Sequence, residues 1–581
     1  MAGLPSDYRL SLAKIIQIVS LIIGGERDYY ILALIYGLGV SLLSLALPIS
    51  VQMLINTVAS TGLILPLTVL SLTLFGLLLF SGLLSAMRIH LMEIFARRFY
   101  ARMTSEIALR SIYAANPFFH DLGKGALFNR YFDIVTVQKA VPYLLIGGFT
   151  VLLQTVTGFA LVSLYHPFFL AFVIAFILLV WAIFASWTPS AARSSIALSH
   201  SKHAAAAWLQ SIAGSNGFFK SDRHIAYALD KTDDDAAGYV LAHKKHFRLQ
   251  FTQTVLFLIL YAAASAALLG LGGWLVIQGQ LTLGQLVAAE LILSAAFAGV
   301  AQLGSYLASF YDLCAAAEEL SLFFEIEQEE PSGAVAPESH DATLSFRSVK
   351  GDARGTPATF NLVIPGGTKL MAAAPTHGVQ RLFSNLLKRH VEPLGGILSL
   401  GGVDILSMEV HALRRRIVVI DRPTVIEMTI RDYLALSSES QQPDEISEVV
   451  RVVGLEPAIA SLEMGFDTKL AVTGWPLSIT ETMQLKLAAA ILARPRVLIL
   501  NQLLDVIPAS QMKAIIRYLR DRAPEMTLIV FSNRDTGLEL DGFLHLDFQH
   551  QEHFQNFEKF TEATGVTHQL NHAPAPLLEG A

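Results

Sequence analysis

Arg494–Ile507 reads RPRVLILNQLLDVI. The apolar run Val497–Leu500 predicts a short buried strand, and it stops at the amide pair Asn501-Gln502, whose side chains hydrogen-bond but carry no charge. Outward from this strand, between about residues 343 and 550, β-branched runs alternate with Gly, Pro and charge, as in a soluble α/β domain. The N-terminal part differs, because long apolar runs fill roughly the first 310 residues. Between the two lies EQEEPSGAVAPESHDA, residues 327–342, a polar stretch with two prolines that reads as a linker.

The 581 residues are 53% hydrophobic and 15% charged, which points to a membrane protein of more than one domain. Six segments reach the roughly 20 residues that cross a hydrocarbon core: Tyr30–Leu54, Leu63–Ala86, Pro142–Leu164, Phe168–Trp187, Thr252–Ile277 and Leu283–Leu307. The short connections near Thr57–Gly62, Tyr165–Pro167 and Gln278–Thr282 lack Lys and Arg. The two long connections are basic, carrying Arg88, Arg97, Arg98, Arg102 and Arg110 in the first and Arg193, Lys202, Lys244 and Arg248 in the second. By the positive-inside rule the long connections, the N-terminus and the soluble domain are cytoplasmic, in a multi-pass protein of a cell membrane, expected to be a bacterial inner membrane. Residues 1–29 read as a cytoplasmic interfacial helix built on Ser11–Ile23, with no convincing signal cleavage site. The single cysteine, Cys314, allows no intrachain disulfide and reads as packed. A net charge of −6 over this length argues for no nucleic-acid partner.

The two long connections are helix-forming, so the membrane helices are expected to run far beyond the bilayer. That geometry resembles the transmembrane half of a type I ABC exporter. NPFFHDLGKGALFNRYFDI (Asn116–Ile134) resembles its coupling segment, and GQLTLGQLVA (Gly279–Ala288) the approach to its last span. In the soluble part, HVEPLGGILSLGGVDI (His390–Ile405) resembles the hairpin after the phosphate-binding helix, and LRRRIVVIDRPTVIEMTIRDYLAL (Leu413–Leu436) the Q-loop region. GFDTKLAVTGWPLSITETMQLKLAAAILARPRVLIL (Gly465–Leu500) resembles the signature helix and Walker B strand, and MTLIVFSNR (Met526–Arg534) the last strand and switch. The implied fold is a multidomain membrane protein: a six-helix α transmembrane domain of the type I ABC exporter kind over residues 30–326, then an α/β ABC-type nucleotide-binding domain over 343–550 and a tail over 551–581.

The resemblance also assigns positions. In AAPTHGVQRLF (Ala373–Phe383), the phosphate loop corresponds to Pro375, Thr376, His377, Gly378, Val379, Gln380, Arg381 and Leu382. Gln380 stands where the family has its lysine, Arg381 where it has the magnesium-binding hydroxyl, and Gly378 is the glycine that remains. Asn501 replaces the aspartate that supports magnesium, Gln502 the glutamate that polarises water, Asp421 the Q-loop glutamine and Asn533 the switch histidine. Ser348–Thr356 contains no aromatic on which adenine would stack. The signature reads LSITE: Ser478 survives, Ile479 and Thr480 replace two glycines, and Glu481 adds a negative charge. No metal site and no cofactor of its own are expected, with ATP bound weakly or through a partner subunit.

Three readings stay open at this point. The chain is a non-catalytic exporter subunit paired with an ATP-competent second half-transporter, a heterodimer being favoured over a homodimer; or a self-associating pseudo-transporter that binds or regulates; or an active ATP-driven exporter. Peptide or protein, lipid and drug-like cargo are all compatible with the residues. The charge asymmetry predicts that single cysteines at Ser60 and Gln280, in a Cys314→Ser background, react with an impermeant thiol reagent in intact cells while one at Gly123 does not. The opposite labelling pattern would invert the topology.

Overall fold

A computed structural model of the chain describes residues 11–55, 64–115, 124–329, 333, 341–353, 355–438, 442–532 and 537–564. Ser60, Asn116–Gly123 of the Pro-Phe-Phe segment, Asn533 and everything beyond Thr564 lie outside the described residues. The chain divides into two compact units, Met1–Glu329 and Glu330–Ala581.

The first unit is helical. Its opening helix, α1 (Leu12–Ile23), is N-capped by the Ser11 hydroxyl, which accepts the Lys14 N–H. Ile15, Val19 and Ile22 recur at helical spacing and are buried, whereas Ile16 and Leu21 stay exposed, so α1 lies on the bundle along one apolar stripe. There follow α2 (Arg27–Leu43), α3 (Ala46–Met53), α4 (Ile64–Ile112), α5 (Asp133–Tyr143), α6 (Phe149–Ser163), α7 (Pro167–Gly214), α8 (Asp222–Ile277), α9 (Leu283–Ala301) and α10 (Leu303–Ser321). Together they make six helical segments long and apolar enough to cross a membrane. Leu72, Phe75, Leu79, Leu178 and Trp181 remain exposed on them, an apolar surface suited to lipid. The longest helices, α4, α7 and α8, contain 49, 48 and 56 residues, hence lengths of roughly 70–85 Å, well beyond the hydrocarbon thickness.

Two expected spans are broken where the backbone requires it. Tyr30–Leu54 divides at Ser44-Leu45, which leaves Pro48 in the first turn of α3, where its missing N–H costs nothing. Pro142–Leu164 passes through a π-helical turn at Leu144–Gly148. There a Cβ on Gly147 would sit 2.6 Å from the Tyr306 ring, so glycine lets α10 pack closely.

The second unit is built on two sheets. Strands β1 (Leu344–Asp352), β2 (Pro357–Ile364), β4 (Gly395–Leu400) and β5 (Val403–Asp404) form an antiparallel sheet in the order β2-β1-β4-β5. Strands β3 (Lys369–Ala373), β6 (Ile417–Ile420), β7 (Val497–Leu500), β8 (Thr527–Phe531), β9 (Gly542–Leu546) and β10 (Gln551–Phe554) form the larger sheet, in the order β10-β9-β3-β8-β7-β6. All but β10 run parallel, and every residue of β3, β7 and β8 is buried, the continuous apolar pattern of strands covered on both faces. The helices are α11 (His377–Leu387), α12 (Val410–Arg416), α13 (Ile430–Ser437), α14 (Pro443–Val452), α15 (Glu456–Ser461), α16 (Ile479–Leu492), α17 (Ala509–Arg522) and α18 (Phe557–Thr564).

The sheet continues past the domain boundary expected at residue 550. Gln551–Phe554 pair with β9, and Phe560 of α18 is fully buried beside Met371 and Ala373. The polar residues Gln551, Glu552 and His553 disguise this stretch in the sequence, because an edge strand tolerates polar side chains that a central strand does not.

At the opposite end of β3, buried Lys369 donates from Nζ to the carbonyl oxygens of Gly367, Ala523, Pro524 and Met526 at 2.9, 3.3, 2.8 and 2.9 Å. One ammonium thus ties the start of β3 to the chain between α17 and β8. Lys369→Met leaves those carbonyls without their shared donor and is expected to cost about 3 kcal/mol. Hydrogen-exchange mass spectrometry of the full chain in detergent should show β3 and β8 amides exchanging roughly 100-fold faster. A change below about threefold would show the ammonium to be dispensable.

Candidate functional site

Parallel pairing decides where the sequence-predicted positions go. Ala372 pairs with Phe531, Leu500 with Val530 and Ile420 with Leu500. The loops leaving β3, β8, β7 and β6 therefore start from one edge of the sheet, the edge at which α/β folds bind ligands. Backbone hydrogen bonds close it: Ser532 N–H donates to Ala372 at 3.2 Å, and Asn501 N–H to Ile420 at 3.1 Å. The phosphate-loop positions, Asp421, Asn501 and Gln502 thus gather at this edge.

Along the phosphate loop, Pro375, Thr376 and His377 are exposed and Gly378 is half-buried. Thr376 precedes α11 in extended conformation without capping it through its side chain, so the first N–H groups of the helix point toward the loop. Val379 and Leu382 pack in the core between the two sheets. Gln380, which the resemblance sets at the lysine position, is 2% exposed, and among the described residues its Oε1 has no hydrogen-bond partner. Arg381 is half-buried. The loop offers a helix N-terminus to an anion, but Gln380 brings no ammonium to it.

Asn501, 6% exposed, opens a 3-10 turn at Gln502–Val506 without capping it through its side chain. Gln502 is half-buried beside it, and Asp421 is exposed, 4.0 Å from the Arg422 guanidinium. Asp505, which the sequence reading did not single out, accepts a hydrogen bond from Ser532 Oγ at 3.1 Å. This contact links the loop leaving β7 to the end of β8. Its sequence signal was a lone carboxylate four residues past Asn501, legible only once β7 and β8 are known to be neighbours.

Ser478 belongs to a different segment. It caps α16: its hydroxyl accepts the Glu481 N–H at 3.3 Å, and the Glu481 carboxylate accepts the Ser478 N–H at 2.7 Å, a reciprocal capping box. The charge of Glu481 is therefore engaged with its own helix start. Upstream, Gly474 adopts φ +91°, and a Cβ there would collide with the Thr482 hydroxyl, so the turn into the signature requires glycine. Ile479 and Trp475 are 64% and 72% exposed. The chain after Asp421 reaches this segment: Val425 N–H donates to Val472, Leu470 N–H to Met428, and Lys486 Nζ to Thr424 at 2.9 Å.

Residues 30–214 match the ABC transporter transmembrane region. A solved bacterial Atm1-family ABC exporter with ATP bound superimposes with a TM-score of 0.79 at 18% identity, over 93% of this chain and 98% of that one. The chain has the fold of an ABC exporter. It is a multi-pass membrane protein with a cytoplasmic cassette. Among curated proteins it is 23% identical over 440 residues to the ATP-dependent lipid A-core flippase of Desulfotalea psychrophila, covering 72% of this chain and 74% of that protein. It is 28% identical over 280 residues to the fatty acid ABC transporter ATP-binding/permease protein of Mycobacterium bovis, covering 47% of this chain and 43% of that protein.

Just past α11, His390 is pushed down to about 3 by burial and then by the positive charge of Lys388, Arg414 and Arg422. Its ordinary value is near 6.5, so the unfolded chain binds a proton below pH 6.5 that the folded cassette refuses. Stability then rises with pH up to about 6.5 and falls as pH drops toward 3. At pH 5 the loss amounts to up to about 2 kcal/mol. Thermal melts of the full chain between pH 7.5 and 5 should show it, and His390→Phe should flatten the dependence. An unchanged slope in that variant would place the acid sensitivity elsewhere.

Proposed function

We propose that this chain is a non-catalytic subunit of an ABC-type membrane exporter, paired with an ATP-competent half-transporter. The observation that carries the reading is the pair Gln380 and Asn501: both are buried at the strand edge where phosphoryl transfer needs an ammonium and a magnesium ligand. Gln502 and Asn533 extend the same loss, since an amide neither takes a proton at neutral pH nor gives a cation a full negative charge, while Asp421 puts a carboxylate where the resemblance implies a glutamine. The cassette's role is then to dock and to transmit, while the partner's phosphate loop binds the working nucleotide opposite Ser478. Any nucleotide in its own loop is held weakly by the N-terminus of α11. Names of relatives refer to lipid A-core, fatty acid, multidrug and toxin transport, which keeps lipid, drug-like and peptide or protein cargo open.

Purified chain alone is expected to hydrolyse no ATP above background. Loss of the base and of one preorganised electrostatic contact each removes about 100-fold or more. Gln502→Glu should not restore turnover, because the lysine and metal ligands are still missing. Reconstituted with its partner, transport should depend on the partner's phosphate-loop lysine. Magnesium-dependent turnover by the chain alone that disappears on Gln502→Ala would overturn the reading.

A further inference from the structure

The helical unit contains a partly buried His/Glu cluster that the exporter reading does not use. His200 on α7 faces Glu318 and Glu319 on α10, with Nε2 at 2.9 Å from Glu318 Oε2 and 3.8 Å from Glu319 Oε1. One ligand atom from each of the three lies within 4.8 Å of the others. Glu319 is fully buried, and Arg130 holds only its Oε2. Among the described residues Oε1 accepts no hydrogen bond.

An ionised oxygen sealed from water without a donor is costly, and native structures seldom leave one so. The nearby cations are engaged elsewhere. Lys202 Nζ donates to Asp133 Oδ1 at 2.9 Å, and His203, one helical turn from His200, is hydrogen-bonded through Nε2 to Asp133 Oδ2 at 2.6 Å, with that nitrogen 3.9 Å from Glu319 Oε1. The orphan oxygen, the Glu318 carboxylate and the His200 nitrogen therefore converge on one point. One imidazole and two carboxylates are a borderline N,O donor set that neutralises a dication, and the imidazole favours zinc or a neighbouring transition ion over magnesium or calcium.

We propose that His200, Glu318 and Glu319 bind one divalent transition-metal ion, with Arg130 positioning Glu319. Binding takes the His200 Nε2 lone pair, so any proton on that nitrogen leaves to solvent and the hydrogen bond to Glu318 is replaced by two metal bonds. The His200 side chain is 42% exposed, which gives the ion a route in. The ion joins α7 to α10 between residues 118 positions apart in the chain, so its occupancy ties these two long helices into the arrangement seen here.

The test uses tag-free full-length protein in detergent, stripped with chelator and titrated with Co²⁺ or Zn²⁺. The expected result is one equivalent per chain by elemental analysis, a visible Co²⁺ ligand-field spectrum, and a melting temperature raised by Zn²⁺. His200→Ala and Glu318→Gln should lose the spectrum and the melting shift, while His243→Ala, at an exposed histidine, keeps both. Arg130→Gln should weaken binding by roughly 10–100-fold, as loss of a group that orients a ligand does. Glu318→Gln preserves the side chain's shape, so it decides the question if His200→Ala misfolds. Absence of stoichiometric binding by the wild-type chain, or binding unchanged in both ligand variants, would overturn the proposal and leave a protonated His200 bridging two carboxylates.

Discussion

Parallel register in the larger cassette sheet is the constraint on which the rest of that unit depends. Adjacent strands lie about 4.8 Å apart, and β3, β8, β7 and β6 end within one residue of paired positions. The loops that leave them must start within about 15 Å of one another, whatever residues they contain. The juxtaposition of Ala374, Ser532, Asn501 and Asp421 is therefore a property of strand order and not of loop chemistry. The buried positions of β3, β7 and β8 maintain that order by filling both faces of the sheet with apolar side chains.

Because framework and chemistry are separable, one can be kept while the other changes. The contacts that fix this cassette are a lysine sharing four carbonyls, a capping box, a glycine turn and an Asp505–Ser532 hydrogen bond; none of them needs a nucleotide. At the start of α11 the balance moves further. Val379 and Leu382 join the core, and each fully buried aliphatic side chain contributes about 2 kcal/mol of transfer free energy. On the proposed reading, the segment compared with the phosphate loop is in part core.

The fold was legible in the sequence because long apolar runs and short β-branched runs differ in period and length. The six span centres coincide with helices, and the expected extension of helices beyond the bilayer is present in α4, α7 and α8. The breaks at Ser44-Leu45 and Leu144–Gly148 were hidden, since apolarity scans register lipid contact and not backbone hydrogen bonding. The resemblance gave Gln380 and Asn501 their expected places, but their burial was not legible. Asp505 and the His200–Glu318–Glu319 cluster were invisible for a simpler reason: their meaning lies in neighbours tens to more than a hundred residues away in the chain.

The Ser478–Glu481 capping box fixes the start of α16 by local hydrogen bonds alone. A serine followed three residues later by Glu or Gln caps a helix, and Glu481 holds Ser478 in place in this way. Ile479 and Thr480 do not interfere with capping, because the first helical positions make no demand on side-chain size. They do change what a neighbour meets. Two glycines would leave backbone N–H groups open to a phosphate, whereas Ile479 presents an apolar side chain that is 64% exposed. On the proposed two-subunit reading, the helix start facing the partner's nucleotide then contributes its dipole and a packing surface, while the direct amide contacts weaken. Substituting Ile479→Gly and Thr480→Gly together would open the backbone amides and leave the Ser478–Glu481 side-chain cap in place, and so separates the two contributions.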